Sequence, residues 1–192
     1  MTGDYLKQLR LTKQLEQRAK EAAKNRSAAE EGLKEAEKEL LSAQSMNADV
    51  TAAKIQLDEA SATFSKKDYT NTSNQVKIVL QSILQAKRER TETVLQTAKE
   101  SIERAPPGEK MAELEEVWSQ AQSHLKENKV DEAYGLANRA LKMADQLSLS
   151  KVSDIISKAE SWVSVAEEIG LGVKSRRSSL LKSQKLLESG DR

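Results

Sequence analysis

The sequence predicts an all-α protein, an elongated helical repeat array in which long and short antiparallel helices alternate and form consecutive three-helix bundles. Aromatic residues make up only 3% of the chain and charged residues 32%, a composition typical of long helices rather than of a thick globular core. Apolar residues recur three and four positions apart, as they do on one face of a helix. Turn-like segments return along the chain at Gly3-Asp4-Tyr5, Lys67-Asp68-Tyr69, Asn128-Lys129-Val130 and Ser189-Gly190-Asp191.

These turn-like segments have a nearly constant spacing. Asp4, Asp68, Lys129 and Asp191 are separated by 64, 61 and 62 residues. A turn that returns at a fixed period between helix-forming segments indicates a repeat array. We therefore expect a long N-terminal helix and first three-helix unit over 1–88, a second unit over 89–149 and an incomplete third unit over 150–192.

A second set of helix breakers divides each repeat. It comprises Met46-Asn47-Ala48-Asp49, Pro106-Pro107-Gly108 and Gly170-Leu171-Gly172. Proline cannot continue a helix interior, and glycine is a preferred residue at a helix end. Together the two sets predict long helices over 4–46, 69–105 and 130–169, and short ones over 49–66, 109–127 and 173–189.

Aspartates stand close to several of the predicted helix starts. Asp49 and Asp131 are predicted caps, because an aspartate ahead of a helix accepts hydrogen bonds from its first amides. Asp4 and Asp68 lie where a turn is predicted to pass into a helix.

The apolar positions align between successive copies. Residues on the same predicted helix face repeat about 61 positions later, so each copy is expected to bury a similar stripe. In the short helices, Leu57, Ala60 and Phe64 align with Trp118, Ala121 and Leu125, and then with Leu180, Ser183 and Leu187. In the long helices, Val76, Val79, Leu80 and Ile83 align with Ala137, Ala140, Leu141 and Ala144, and Val94, Leu95, Ala98 and Ile102 with Ile155, Ile156, Ala159 and Val163.

The alternation of long and short helices resembles the spectrin-type repeat. A long helix that runs forward two units, followed by a short helix that returns one, places three helices side by side. Residues 128–134, with Ala137, Ala140 and Leu141, also resemble the turn and second helix of a tetratricopeptide repeat. Both resemblances imply a helical repeat fold, and neither assigns a functional residue to this chain.

Composition argues against several classes of protein. The chain has no cysteine, which excludes disulfides, thiolate metal sites and cysteine nucleophiles. Lys and Arg number 31 against 30 Asp and Glu, so no nucleic-acid partner is expected from the charge balance. No apolar run approaches the roughly 20 residues of a membrane span, and we expect a cytoplasmic protein.

No grouping of residues predicts catalysis. His124 is the only histidine, and without cysteine or a paired base it forms no metal or nucleophile constellation. Adjacent carboxylates such as Glu115 and Glu116 point about 100° apart on a helix and do not converge. We therefore predict no enzyme, and no catalytic, cofactor-binding or metal-binding residue.

Three further features have structural interpretations beside functional ones. Trp118 occupies a predicted core position, and Trp162 is predicted to lie in the core or at its rim, although tryptophan is also common at protein interfaces. Arg176-Arg177-Ser178-Ser179 resembles a substrate site of a basophilic kinase.

The function predicted from these patterns is structural. We expect a spacer or scaffold segment of a helical repeat protein that mediates protein–protein contacts. The alternatives are a tetratricopeptide-like adaptor with a peptide-binding groove, and a helical signalling or sensor module. Both ends of the array lack a neighbouring helix in this scheme, so either end-to-end self-association or fraying of both ends is expected. The apolar residues predicted to face water there include Tyr5, Leu9, Ile155, Ile156, Leu180 and Leu187.

Overall fold

The chain is all-helical throughout the residues that the structure, a computed structural model, describes: 2–108 and 110–189, without the side chains of 2–6, 174 and 188. These residues form six α-helices and no strand. The helices are α1 (Thr2–Ser45), α2 (Thr51–Ser65), α3 (Tyr69–Arg104), α4 (Met111–Lys126), α5 (Val130–Glu168) and α6 (Lys174–Ser189). The predicted all-α class is confirmed, and the helix ends lie within a few residues of the predicted ones.

Four of the five connections between these helices contain one residue with a left-handed backbone conformation. These residues are Asn47, Lys67, Asn128 and Gly170, with φ of 55°, 64°, 64° and 81°. In each case the amide of the next residue donates to the carbonyl five positions back, as Lys129 N does to His124 O at 2.9 Å. This is the Schellman arrangement, which satisfies the last carbonyls of a helix within the chain itself. Each of these helix ends is therefore determined locally.

The two predicted helix-start residues Asp49 and Asp68 do accept hydrogen bonds from the helices that follow them. Asp49 Oδ1 accepts from the Thr51 hydroxyl at 2.7 Å and from the Thr51 amide at 3.1 Å. These two bonds hold the pKa of the Asp49 carboxyl below its ordinary value. Asp68 accepts from the amide of Asn71 at 3.2 Å and from its side chain at 2.7 Å.

Two predictions about helix starts are wrong. Asp131 lies in the first turn of α5 rather than ahead of it, where a negative charge still suits the positive end of the helix dipole. The predicted turn at Gly3-Asp4-Tyr5 lies inside α1, which begins at Thr2. Acidic residues are as well suited to a first helical turn as to the turn before it. The turn predicted at Gly190-Asp191 lies outside the described residues.

The packing of the chain divides it into two units, Met1–Glu92 and Thr93–Arg192. The core of the first unit draws residues from α1, α2 and α3, among them Ala36, Leu57, Val79 and Ile83. Gly32 lies so close to α3 that a methyl group added to it would meet Val76 Cγ1 at 3.1 Å. Helix α1 can approach α3 this closely because Gly32 has no side chain.

A buried ion pair lies beside this core. The Lys87 ammonium donates to Glu39 Oε2 at 2.7 Å, with the lysine side chain 3% exposed and the glutamate 37% exposed. A buried ammonium is costly unless it is paired, so Lys87 requires an acceptor at this place. The pair therefore links α3 to α1 specifically.

The core of the second unit draws residues from α3, α4 and α5. Ala98, Leu114, Ala140 and Ala144 are fully buried within it. Trp118 packs against this cluster, is half-buried, and donates from Nε1 to Leu95 O at 3.2 Å. The bond satisfies the indole N–H, so the tryptophan serves the packing of α4 on α3.

Corresponding positions are buried in the two units. The buried residues in the first part of α3 and in the first part of α5 stand 61 positions apart. They are Thr72, Val76, Val79 and Ile83 in α3, and Ala133, Ala137, Ala140 and Ala144 in α5. The side chains differ in size, but each set faces its unit's core.

Replacing Lys67 by glycine is expected to raise the free energy of unfolding by about 0.5–1 kcal/mol. A residue with a Cβ is strained at positive φ, whereas glycine is not. The matched control is Lys66→Gly, at a neighbouring residue whose φ is −79°, which should lower stability. Chemical denaturation of the two variants measures this difference, and equal effects would contradict the assignment of the left-handed residue.

The two tryptophans are expected to respond differently to truncation. Trp118→Ala should lower the free energy of unfolding by about 3 kcal/mol, because it removes buried area and a hydrogen bond. Trp162 is 74% exposed, so Trp162→Ala should change it by no more than about 0.5 kcal/mol. Thermal or urea unfolding of both variants provides the comparison, and an equal loss would mean that the second unit packs differently.

Candidate functional site: an apolar groove on the second unit

Two observations concern metal-ligating and titratable side chains in the described part of the chain. No three His, Cys, Asp or Glu residues within it converge as metal ligands would. His124 is half-buried near the end of α4, and its Nδ1 atom is buried without a hydrogen-bond partner.

A groove of about 670 Å³ lies on the second unit. It lies among the end of α3, the middle of α5 and the end of α6. Its apolar lining consists of Leu149, Val152, Ile155, Ile156, Leu186 and Leu187. Ser101, Arg104, Asp145, Ser148 and Ser183 supply its polar atoms. Such a surface suits another apolar side-chain row better than a polar ligand.

The apolar lining continues a row that is buried elsewhere in the chain. Thr91 and Val94 of α3 are 0% and 4% exposed. The residues 61 positions later, Val152 and Ile155 of α5, are 44% and 56% exposed. Val152 and Ile155 thus have apolar side chains suited to a core, yet about half of each side chain is exposed to solvent.

The polar end of the groove corresponds to the ion pair of the first unit. Ser148 stands 61 positions after Lys87, and Ser101 stands 62 positions after Glu39. Where Lys87 closes the first unit with a charge-assisted bond, two small hydroxyl side chains leave space in the second. The groove opens partly for this reason.

Polar contacts at the surface join helix α6 to α5. Arg177 Nη1 donates to both carboxylate oxygens of Glu167, at 3.0 and 2.8 Å. Gln184 donates to the carboxylate of Glu160. Exposed pairs of this kind contribute little to stability, so α6 is attached more weakly than α4 with its four buried residues.

Sequence predictions for this region are met in part. Ile155 faces water as predicted, whereas Ile156, Leu180 and Leu187 are half-buried. Trp162 was expected in the core or at its rim, but it is exposed and lies outside the groove lining. Leu149, Val152 and Leu186 were not singled out. The same 61-residue spacing applied to Thr91 would have identified Val152.

The basic segment Arg176-Arg177-Ser178-Ser179 lies on α6 with all four residues exposed. Arg177 is engaged with Glu167, and the Ser179 hydroxyl donates to Ser175 O. These local bonds explain the side-chain positions. Modification of Ser178 stays a prediction.

A second uncovered surface lies in the first unit, on the first half of α1. Every residue from 7 to 28 is exposed. Ala29, Ala36 and Ala43 form the fully buried line of this helix, at steps of seven residues. Ala22 and Leu15 continue that line outward, and Leu15 is 64% exposed.

Leu9 was predicted to be a seam residue that faces water, and it is 42% exposed. At about 100° per residue, Leu9 points roughly 160° away from Ala29, whereas Leu15 lies within about 40° of it. The side chain of Tyr5, predicted to share the seam, lies outside the described residues. Leu15 is therefore the apolar residue that extends the packed face.

Comparison with known proteins adds no assignment. No family model matches the chain, and neither a curated protein nor a solved structure matches it. None of the described helices is long and apolar enough to cross a membrane.

Replacing two isoleucines by alanine, one in the core of the second unit and one in the groove, should show how strongly each position is packed. Ile102 is 9% exposed in the core of the second unit, and Ile102→Ala should lower the free energy of unfolding by about 2–4 kcal/mol. Ile155→Ala, in the groove row, where the side chain is 56% exposed, should lower it by less than about 1 kcal/mol in dilute solution. Urea titration at low protein concentration tests this pair. A large loss for Ile155→Ala would mean that the groove row is already covered.

Proposed function

We propose that this chain is a structural spacer or scaffold segment of a helical repeat protein, which mediates protein–protein contacts. In this proposal the two cores belong to an elongated array of consecutive three-helix bundles, and the third bundle is incomplete. The observation that carries the proposal is the burial of positions 61 residues apart in both units. Solenoid-like arrays bury such repeated stripes and offer extended surfaces rather than enclosed pockets.

The described residues also favour a structural role over a catalytic one. The buried polar and charged residues are few, namely Thr72, Lys87 and Thr91. The Thr72 hydroxyl donates to Asp68 O and the Thr91 hydroxyl to Lys87 O. The Lys87 ammonium pairs with Glu39. These groups are engaged in packing, which leaves none of them positioned as an acid, base or nucleophile.

A tetratricopeptide-like adaptor is the second candidate, and one observation favours it. An adaptor requires a concave surface lined by side chains, and the groove on the second unit is such a surface. An amphipathic helix or peptide would lay its apolar face along Val152 and Ile155.

Solution scattering tests the elongated array directly. With forward and return helices at about 1.5 Å per residue, we expect a long axis of roughly 100–120 Å and a radius of gyration of roughly 30–35 Å. A compact domain of 192 residues would have a radius of about 16 Å.

The scattering data must be extrapolated to zero concentration, so that association does not imitate length. A radius of gyration near 16 Å would show a closed helical bundle instead of an elongated array, and it would contradict the proposed spacer function.

A further inference from the structure

We propose that the groove on the second unit binds the first half of α1, residues 7–28, from a second copy of this chain. The contact would be head-to-tail, because the groove and α1 are different surfaces of the molecule. This inference rests on the proposed repeat array, since it names the partner that completes the third bundle.

The first argument is what covers the same face elsewhere in the chain. In the first unit, the beginning of α3 packs on α1 and α2, with Val76, Val79 and Ile83 in the shared core. In the second unit, the beginning of α5 packs on α3 and α4 through Ala140 and Ala144. The same arrangement therefore occurs in both units. The beginning of a long helix covers the face formed by the end of the preceding long helix and the short helix between them.

The second argument is that, among the described residues, both surfaces of such a contact occur once without a partner: a face to be covered, and a long-helix start that could cover it. The end of α5 with α6 is the face without its cover, and Ile155 is 56% exposed there. The beginning of α1 is a long-helix start without a face, and Leu15 is 64% exposed. In the proposed contact, the beginning of α1 of a second copy lies on this face.

The third argument is the chemistry of the two surfaces. The α1 line continues a row of buried alanines through Ala22 to Leu15. Small residues let helices approach closely, as the alanines of α5 do in the second unit. The groove presents larger aliphatic groups, including Val152, Ile155 and Leu187, which interdigitate with a line of small residues.

The contact has a defined symmetry. A heterologous contact joins two different surfaces. After two copies have bound, one of them still has a free groove and the other still has a free α1. Association should therefore extend beyond a dimer as the protein concentration rises.

Complementation between two charge variants of the full chain tests the proposal. Leu15→Glu damages α1 and leaves the groove intact, whereas Ile155→Glu damages the groove and leaves α1 intact. Because burying a carboxylate in this contact is costly, each variant alone should associate at least about tenfold more weakly than the wild type. An equimolar mixture should form a one-to-one dimer that does not extend, since one sound groove and one sound α1 remain.

Two matched controls lie outside the proposed contact. Leu9→Glu places the same charge on the other side of α1, and Val165→Glu places it on an exposed residue of α5 outside the groove lining. Both should associate like the wild type. Circular dichroism must show equal helix content for all variants, which is expected because the four replaced side chains are exposed.

Sedimentation velocity from micromolar to millimolar concentration decides among the outcomes. A wild type that stays monomeric throughout overturns the proposal, and protection of amides 7–28 in that monomer would show α1 covered by its own chain. Undiminished association of Leu15→Glu would show that grooves pair with one another. A mixture of the two variants that stays monomeric would exclude the head-to-tail contact. The radius of gyration of the monomeric variants tests the elongated array separately. Failure of the head-to-tail contact can therefore be distinguished from failure of the array.

Discussion

Close approach of helices through very small side chains is the constraint on which both units depend. With few aromatic residues, the chain cannot fill a wide core, and the fully buried positions are dominated by alanine, as at Ala36, Ala43, Ala137 and Ala144. Alanine buries little area per residue, so stability has to come from many contacts along long helices. Larger residues such as Ile83 and Leu114 then fill the space that remains between the helices. Each helix in turn needs neighbours over most of its length, which is why an uncovered stretch is informative.

The helices themselves were predictable from local chemistry. Pro106 and Pro107, the glycines near residue 170 and the turns at Lys67 and Asn128 end helices through backbone geometry, and such effects can be recognised in a sequence. The helical start of α1 and the place of Asp131 were not predicted, because acidic residues suit both sides of a helix start. Leu15 was not singled out in the sequence, because its place on the packed face of α1 follows only from the buried line from Ala29 onward.

The candidate site was only partly predictable. The spacing of about 61 residues identified Ile155, but the groove also depends on the absence of a group, since Ser101 and Ser148 stand where the first unit has an ion pair. Two serines in exposed-looking sequence give no sign that a cavity opens beside them. The exposure of Trp162 was likewise unpredictable, because a tryptophan at the edge of an apolar stripe is compatible with either side.

The Lys87–Glu39 pair bears on how a chain with similar segments avoids folding incorrectly. The beginnings of α3 and α5 bury matching positions, so the exchange of one for the other between two copies of the chain is a natural error of assembly. In such an exchange the Lys87 ammonium would face Ser101 instead of Glu39, and a nearly buried cation would lose its carboxylate. The loss of a buried partner charge is far more unfavourable than the net stabilisation that the intact pair provides. One ion pair thus helps to distinguish two helices that bury matching positions, and it penalises the misassembled state more than it stabilises the correct one.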